Sequence, residues 1–289
     1  MIWAIVTKEE MEGYKIPPVF QYYREVVGKE NIKLAVVDED DKLEFLEEDD
    51  IVLLRTASER IISKIQEKKI KTTAEDFSTY ELVKDKKEVG NLLMGFAIPV
   101  PKQYKLDEVK DGETYFVKPR FGGESFGITK ESICHTKNEV IKQVKYVQDT
   151  CNQEAVIDEF IDGVDCTVAC YYSPKEKKVK SHAIGIECEE VGGIQTHKGK
   201  FDYNECCSAI TGVLEHKLKY ISQKTFKKLQ IKHHARIDFR VTGDGRIYLI
   251  DINLLPGLGP SAHFAKCLLL TNNMSYKDAI WSIINSASK

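Results

Sequence analysis

The sequence predicts an α/β N-terminal lobe followed by two α+β lobes, and three observations carry that prediction. Short β-branched runs alternate with amphipathic stretches up to about residue 69. Beyond Pro99 the texture changes to paired, hairpin-like runs, and a GDG turn at 243–245 joins two apolar segments near the C-terminal end. The 289 residues are enough for two or three lobes with real cores, and 42% hydrophobic with 30% charged residues is ordinary for a globular chain.

The elements follow in order. IWAIV (2–6), IKLAVV (32–37) and DIVLLR (50–55) read as strands, separated by helical stretches near 17–28 and 58–69, so βαβ units and a small parallel sheet are expected. KTTAEDFSTYE (70–80) is polar and reads as a connection into a helix near 81–95. TYFVKP (114–119) and GITK (127–130) read as strands around a glycine-rich turn, followed by a helix near 136–150. AVIDEFI (155–161), CTVACYY (166–172) and VKSHAIGIE (179–187) continue as strands, then come a polar loop (189–205), a helix around 218–229 and the hairpin with the GDG turn. Domains are expected at 1–80, 81–155 and 156–289.

With 42 basic and 45 acidic residues the net charge is −3, so no global basic field points to nucleic acid or an anionic membrane surface. The first residues, MIWAIVTKEEMEG, turn polar too soon for a signal peptide or membrane anchor. The eight cysteines are scattered without CxxC or zinc-like spacing; they read as buried or idle thiols, and a cytoplasmic setting is expected.

Three stretches carry chemistry. FVKPRFGGESFGI puts Lys118 at a strand end, followed by Gly122, Gly123, Ser125 and Gly127. Glycines let a backbone turn closely over an anion and aim N–H groups at it, and a lysine adds a point charge; a plain hairpin turn is the competing reading. VIDEFIDGVDCTV ends a strand in Asp158 and Glu159, with Ile161 and Asp165 just beyond; these acids can accept hydrogen bonds from ribose hydroxyls, or they are solvated surface charge. RIDFRVTGDGRIYLIDINLLPGLGPS (236–261) lines up Asp238, Asp251 and Asn253 on two neighbouring strands, either as oxygen ligands for a metal or as caps of the turn at Pro256 and Gly257. Residues 251 and 253 point to the same face of one strand.

The order of these stretches resembles that of the ATP-grasp superfamily over residues 80–289, and most closely its D-alanine:D-alanine ligase branch. The N-terminal LLRTAS strand and DKKEVGNLLMGFAIPVP also resemble the RimK-like ligases, in which a lysine at the position of Lys86 contacts the nucleotide. The resemblance implies a small N-terminal parallel-sheet domain and two α+β lobes that clasp ATP. Lys118, Gly123 and Ser125 would meet the phosphates and Lys86 the nucleotide; Asp158, Glu159, Ile161 and Asp165 would meet the adenosine. Asp238, Asp251 and Asn253 would hold Mg²⁺, as one or two ions, with Mn²⁺ as a substitute. Arg236 and the Gly257 N–H would serve the reacting carbonyl, and Lys198 or Lys200 of a lid loop would reach the γ-phosphate.

The implied reaction joins a small-molecule carboxylate to an amine through an acyl phosphate. The alternative is an ATP-binding regulatory or assembly module that has lost catalysis, and a homodimer is compatible with either. Two departures stand out. Asp251 replaces the family's usual glutamate, and the glycine loop reads GGES where the ligase branch has a Gly-Ser-Ser core.

Overall fold

The computed structural model describes residues 1–13, 16–123, 125–187 and 206–288, which build three sheets. The first contains β1 (Ile2–Thr7), β2 (Ile32–Val37), β3 (Ile51–Leu54) and β4 (Lys71–Thr72), all parallel in the order β2-β1-β3-β4. Helices α1 (Lys8–Gly13), α2 (Ile16–Val27) and α3 (Glu59–Glu67) connect them. The expected parallel sheet is therefore present. In α3 the cap Ser58 accepts from the Ile61 amide, and Ile61, Ile62 and Ile65 form one buried stripe.

Residues 70–95 depart from expectation. The polar connection contains β4 and the start of α4 (Phe77–Lys84), and what reads as one helix is split from α5 (Lys86–Gly95) at Asp85. The physical reason is a cap: Asp85 is extended (φ −83°, ψ 93°) and accepts from the amides of Lys87 and Glu88, which favours a fresh helix start.

The second sheet is antiparallel in the order β5-β8-β6-β7, with β5 (Gln103–Tyr104), β6 (Tyr115–Pro119), β7 (Ile133–Cys134) and β8 (Ala155–Glu159). The boundary drawn at residue 155 thus runs through β8, whose partners are β5 and β6. GITK is not the strand that pairs with β6; β7 takes that place. Gly127 sits at φ +72°, where a Cβ would lie 2.6 Å from Pro119 and Cys151, so the chain turns there instead of extending. Helix α6 (Lys137–Cys151) opens with a capping box between Thr136 and Glu139 and covers this sheet's small core of Tyr115, Val117, Val140 and Ile157.

The third sheet is antiparallel, β11-β10-β9-β12-β13: β9 (Val164–Ser173), β10 (Lys178–Glu187), β11 (Cys206–Ala209), β12 (His234–Val241) and β13 (Ile247–Asn253). Helices α7 (Gly212–Lys228), α8 (His263–Asn272) and α9 (Tyr276–Ile284) complete the chain; β11, α8 and α9 were not anticipated from sequence. One apolar cluster runs from Leu54 and Ile65 through Leu93 to Phe239 and Leu249, and another joins Tyr23 and Leu53 to Phe264 and Ile280. The N-terminal lobe therefore shares its core with the third sheet, whereas the second sheet keeps its own.

His182 of β10 is 6% exposed, stacks on Tyr171 and bonds Thr271 through Nδ1. Burial, with Lys219 and Lys180 nearby, pushes its pKa down to about 4. The unfolded chain then takes up a proton near pH 6.5 that the folded chain refuses, so this group's stabilisation is present above pH 6.5 and is lost as pH falls towards 4. His182→Asn should flatten the acid limb of stability by up to about 1.4 kcal/mol per pH unit in that window, read from urea unfolding at pH 4.5–7. An unchanged slope would mean that His182 is not buried in its neutral form.

Candidate active site

A cavity of about 180 Å³ lies between the second and third sheets. Its apolar walls are Phe116, Phe160, Phe239 and Ile250, and its polar groups converge from β6, β8, β12, β13 and the start of α5.

The register of β12 and β13 sets the polar wall. Arg236 lies opposite Asn253 and Asp238 opposite Asp251, so all four occupy one face of two adjacent strands. This facing depends on a β-bulge. On the turn side Phe239 pairs with Leu249, so Ile250 is an extra residue; continuing without it would set Asp238 opposite Ile250 and turn Asp251 to the other face. The bulge also frees the Ile250 carbonyl, which accepts from Lys118 Nζ at 3.5 Å.

Lys118 and Asp158 form a buried pair at 2.8 Å, 7% and 4% exposed. Asp158 therefore does not present its carboxylate as a free ribose acceptor; its position on β8 turns it inward to Lys118, and its Oδ1 has no partner. Lys86 reaches across to the Gly122 carbonyl. Burial pulls the Lys86 pKa down, with Asp251 working against it.

Arg236 grips Asp238 bidentately, Nε to Oδ1 at 3.0 Å and Nη2 to Oδ2 at 2.8 Å, and Thr167 donates to the same carboxylate. Burial works to raise the Asp238 pKa, but the Arg236 charge and these hydrogen bonds hold it below the ordinary carboxylate value. Asp165, expected at the ribose, pairs with Arg240 at 3.0 Å, and burial pushes its carboxyl up to about 6. Arg240 also donates to the Ile161 carbonyl and lies over Phe160. Glu159 and Ile161 line the cavity, as do Gly123 and Ser125.

Asn253 Oδ1 accepts from the Leu255 amide at 2.8 Å, so the turn-capping reading of this residue is realised. One lone pair of that oxygen is left. Asn253 and Gly257 do not line the cavity; Gly257 lies in the turn whose Leu255 and Pro256 carbonyls accept from Arg55 Nη2 at 3.4 and 2.7 Å. Two carboxylates and an amide carbonyl are hard oxygen donors that suit Mg²⁺ or Mn²⁺. Among the described residues no cluster of three or more His, Cys, Asp or Glu could hold a metal, so further donors would have to come from water or phosphate. Lys198 and Lys200 lie outside the described residues.

Sequence reasoning missed Arg240, Thr167, Arg55 and the aromatic walls. The period of two in Arg236-x-Asp238-x-Arg240 was a signal for the first, since alternate strand residues share a face. Thr167 and Phe116 carried none, because only cross-strand pairing brings them in.

Residues 102–285 match a family model described as D-ala D-ala ligase C-terminus. A D-alanine–D-alanine ligase of Aquifex aeolicus is 31% identical over 153 residues, covering 49% of this chain and 46% of that protein. The chain spans about half the length of the curated relatives it matches. Among solved structures, a D-alanine–D-alanine ligase from Bacillus anthracis complexed with ATP superposes with a TM-score of 0.74 at 19% identity, covering 99% of this chain and 96% of that one. The VanG D-Ala:D-Ser ligase of Enterococcus faecalis gives 0.73 at 15% identity, with 99% and 98% covered. These likenesses establish the ATP-grasp fold.

Proposed function

Because the chain belongs to the D-ala D-ala ligase C-terminus family, we propose that it is an ATP-dependent carboxylate–amine ligase, acting on an amino acid or small peptide and releasing ADP and phosphate. The observation that carries the reading is the register that sets Arg236, Asp238 and Asp251 on one face beside Lys86 and Lys118. A cleft in which two lysines and a glycine loop meet carboxylates able to take a divalent cation supports a nucleoside triphosphate better than it supports a neutral ligand.

In this reading Lys86, Lys118 and the backbone around Gly123 and Ser125 hold the phosphates, and the cavity wall from Glu159 to Asp165 borders the adenosine. Asp238, Asp251 and Asn253 would hold Mg²⁺, which supplies charge neutralisation across the phosphates. A substrate carboxylate attacks the γ-phosphate, giving an acyl phosphate and ADP; an amine then attacks that carbonyl, and phosphate leaves. Arg236 is suited to the charge that develops on the reacting oxygen, and the Gly257 N–H is a second donor. Positioning does most of the work.

No helix among the described residues is long and apolar enough to cross a membrane, and a cytoplasmic site of action is part of the proposal. Hydroxylamine tests the chemistry, since it is small and nucleophilic enough to intercept the acyl phosphate. Incubation with Mg·ATP and a panel of amino acids should yield a hydroxamate together with ADP, and millimolar Mg·ATP should raise the melting temperature more than ATP with chelator. AMP and pyrophosphate as products would sink the mechanism. A melting shift without ADP from any carboxylate would favour a nucleotide-binding module that does not catalyse.

A further inference from the structure

We propose that the Arg120–Asp85 ion pair is the positioning device of the phosphate-binding loop: it fixes the first residue of the loop to the start of α5, so that the loop and Lys86 meet the nucleotide as one unit. The inference rests on the nucleotide reading above.

The geometry is a fork. Arg120 Nε donates to Asp85 Oδ1 at 2.9 Å and Nη2 to Oδ2 at 2.6 Å, while Nη1 reaches Glu154 Oε2 at 2.6 Å. Asp85 meanwhile caps α5 through the amides of Lys87 and Glu88. Backbone bonds run alongside the fork: the Lys86 amide donates to the Arg120 carbonyl at 3.0 Å, and the Arg120 amide to the Glu154 carbonyl at 2.9 Å. The Phe121 amide is held by Gln153 Oε1 at 2.6 Å.

This network also divides two neighbouring lysines. Lys87 is drawn away from the cleft to Glu154 at 2.8 Å, whereas Lys86 points into it and reaches Gly122. The start of α5 thereby selects which amine faces the phosphates. An isolated exposed ion pair contributes little, but a bidentate arginine–carboxylate fork fixes orientation as well as distance, and this one is only 21% and 12% exposed. Burial works to raise the Asp85 pKa, and the hydrogen bonds from Arg120 hold it below the ordinary value, so the pair stays charged.

A positioning role is separated from a merely structural one by comparing a ligand with phosphates and one without. Isothermal titration of the full chain with Mg·ATP and with adenosine provides the readout, on Arg120→Ala, Arg120→Lys and Asp85→Asn. Asparagine can still cap α5, so that variant keeps the helix start while losing the charged fork. Arg120→Ala and Asp85→Asn should each weaken Mg·ATP about tenfold and leave adenosine within about twofold. Arg120→Lys should fall between, and the Arg120→Ala/Asp85→Asn double change should be no worse than the weaker single one. Unchanged Mg·ATP affinity overturns the proposal, as does an equal loss for both ligands. A wild-type chain that binds neither overturns the nucleotide reading and this inference with it.

Discussion

Lys118→Met should remove both the nucleotide and a measurable part of the stability. Asp158 would be left as a buried carboxylate whose Oδ1 already lacks a partner, and breaking such a pair from one side costs about 3–5 kcal/mol. Calorimetry should therefore show a lower melting temperature and no upward shift with Mg·ATP. The double change Lys118→Met/Asp158→Leu separates the two effects, because an apolar pair of similar volume can replace a buried ion pair at little net cost. It should regain most of the lost stability while still failing to bind ATP. Wild-type affinity in the double variant would remove Lys118 from the phosphate site.

Arg236→Ala should lower hydroxamate formation about 10²–10³-fold, the scale of losing one donor to a developing oxyanion, while Mg·ATP affinity changes by no more than a few fold. The asymmetry follows from position: Arg236 is assigned to the reacting carbonyl, and the phosphates have Lys86 and Lys118. Arg236→Lys is the finer probe, since it keeps the charge and loses the bidentate grip on Asp238. Its activity should lie near that of alanine if orientation matters and near wild type if charge alone suffices. Equal losses of ATP affinity and turnover would reassign Arg236 to the nucleotide.

Much of this was legible in the sequence, for identifiable reasons. The inner N-terminal strands were readable because a parallel sheet covered on both faces leaves continuous apolar runs such as IWAIV and IVLL. That Asp251 and Asn253 share a face was readable from alternation, but that they face Asp238 and Arg236 was not, because the bulge at Ile250 sets that register and an extra residue in a strand has no compositional mark when it is an ordinary isoleucine. The helix break at Asp85 was hidden by helix-forming residues on both sides, and its cap was visible only as an Asp three residues before Glu88. Asp158 and Asp165 show the limit of reading acids from spacing. Each finds a cation from a distant segment, Lys118 and Arg240, and that pairing is a property of the assembled sheets.

The bulge at Ile250 makes the evolution of this hairpin a matter of parity. Between Asp238 and Asp251 the sequence can drift freely wherever side chains meet solvent, as at Asp244 and Arg246. Its length cannot drift freely, because loss or gain of one residue that the strands absorb by slipping would carry Asp251 and Asn253 together to the core face. Changes of two residues preserve the facing, as do single changes confined to the turn. Lineages of this chain should therefore differ in this hairpin by even steps or at its tip, and one with an odd change between the acids must have rebuilt the bulge elsewhere or lost the site.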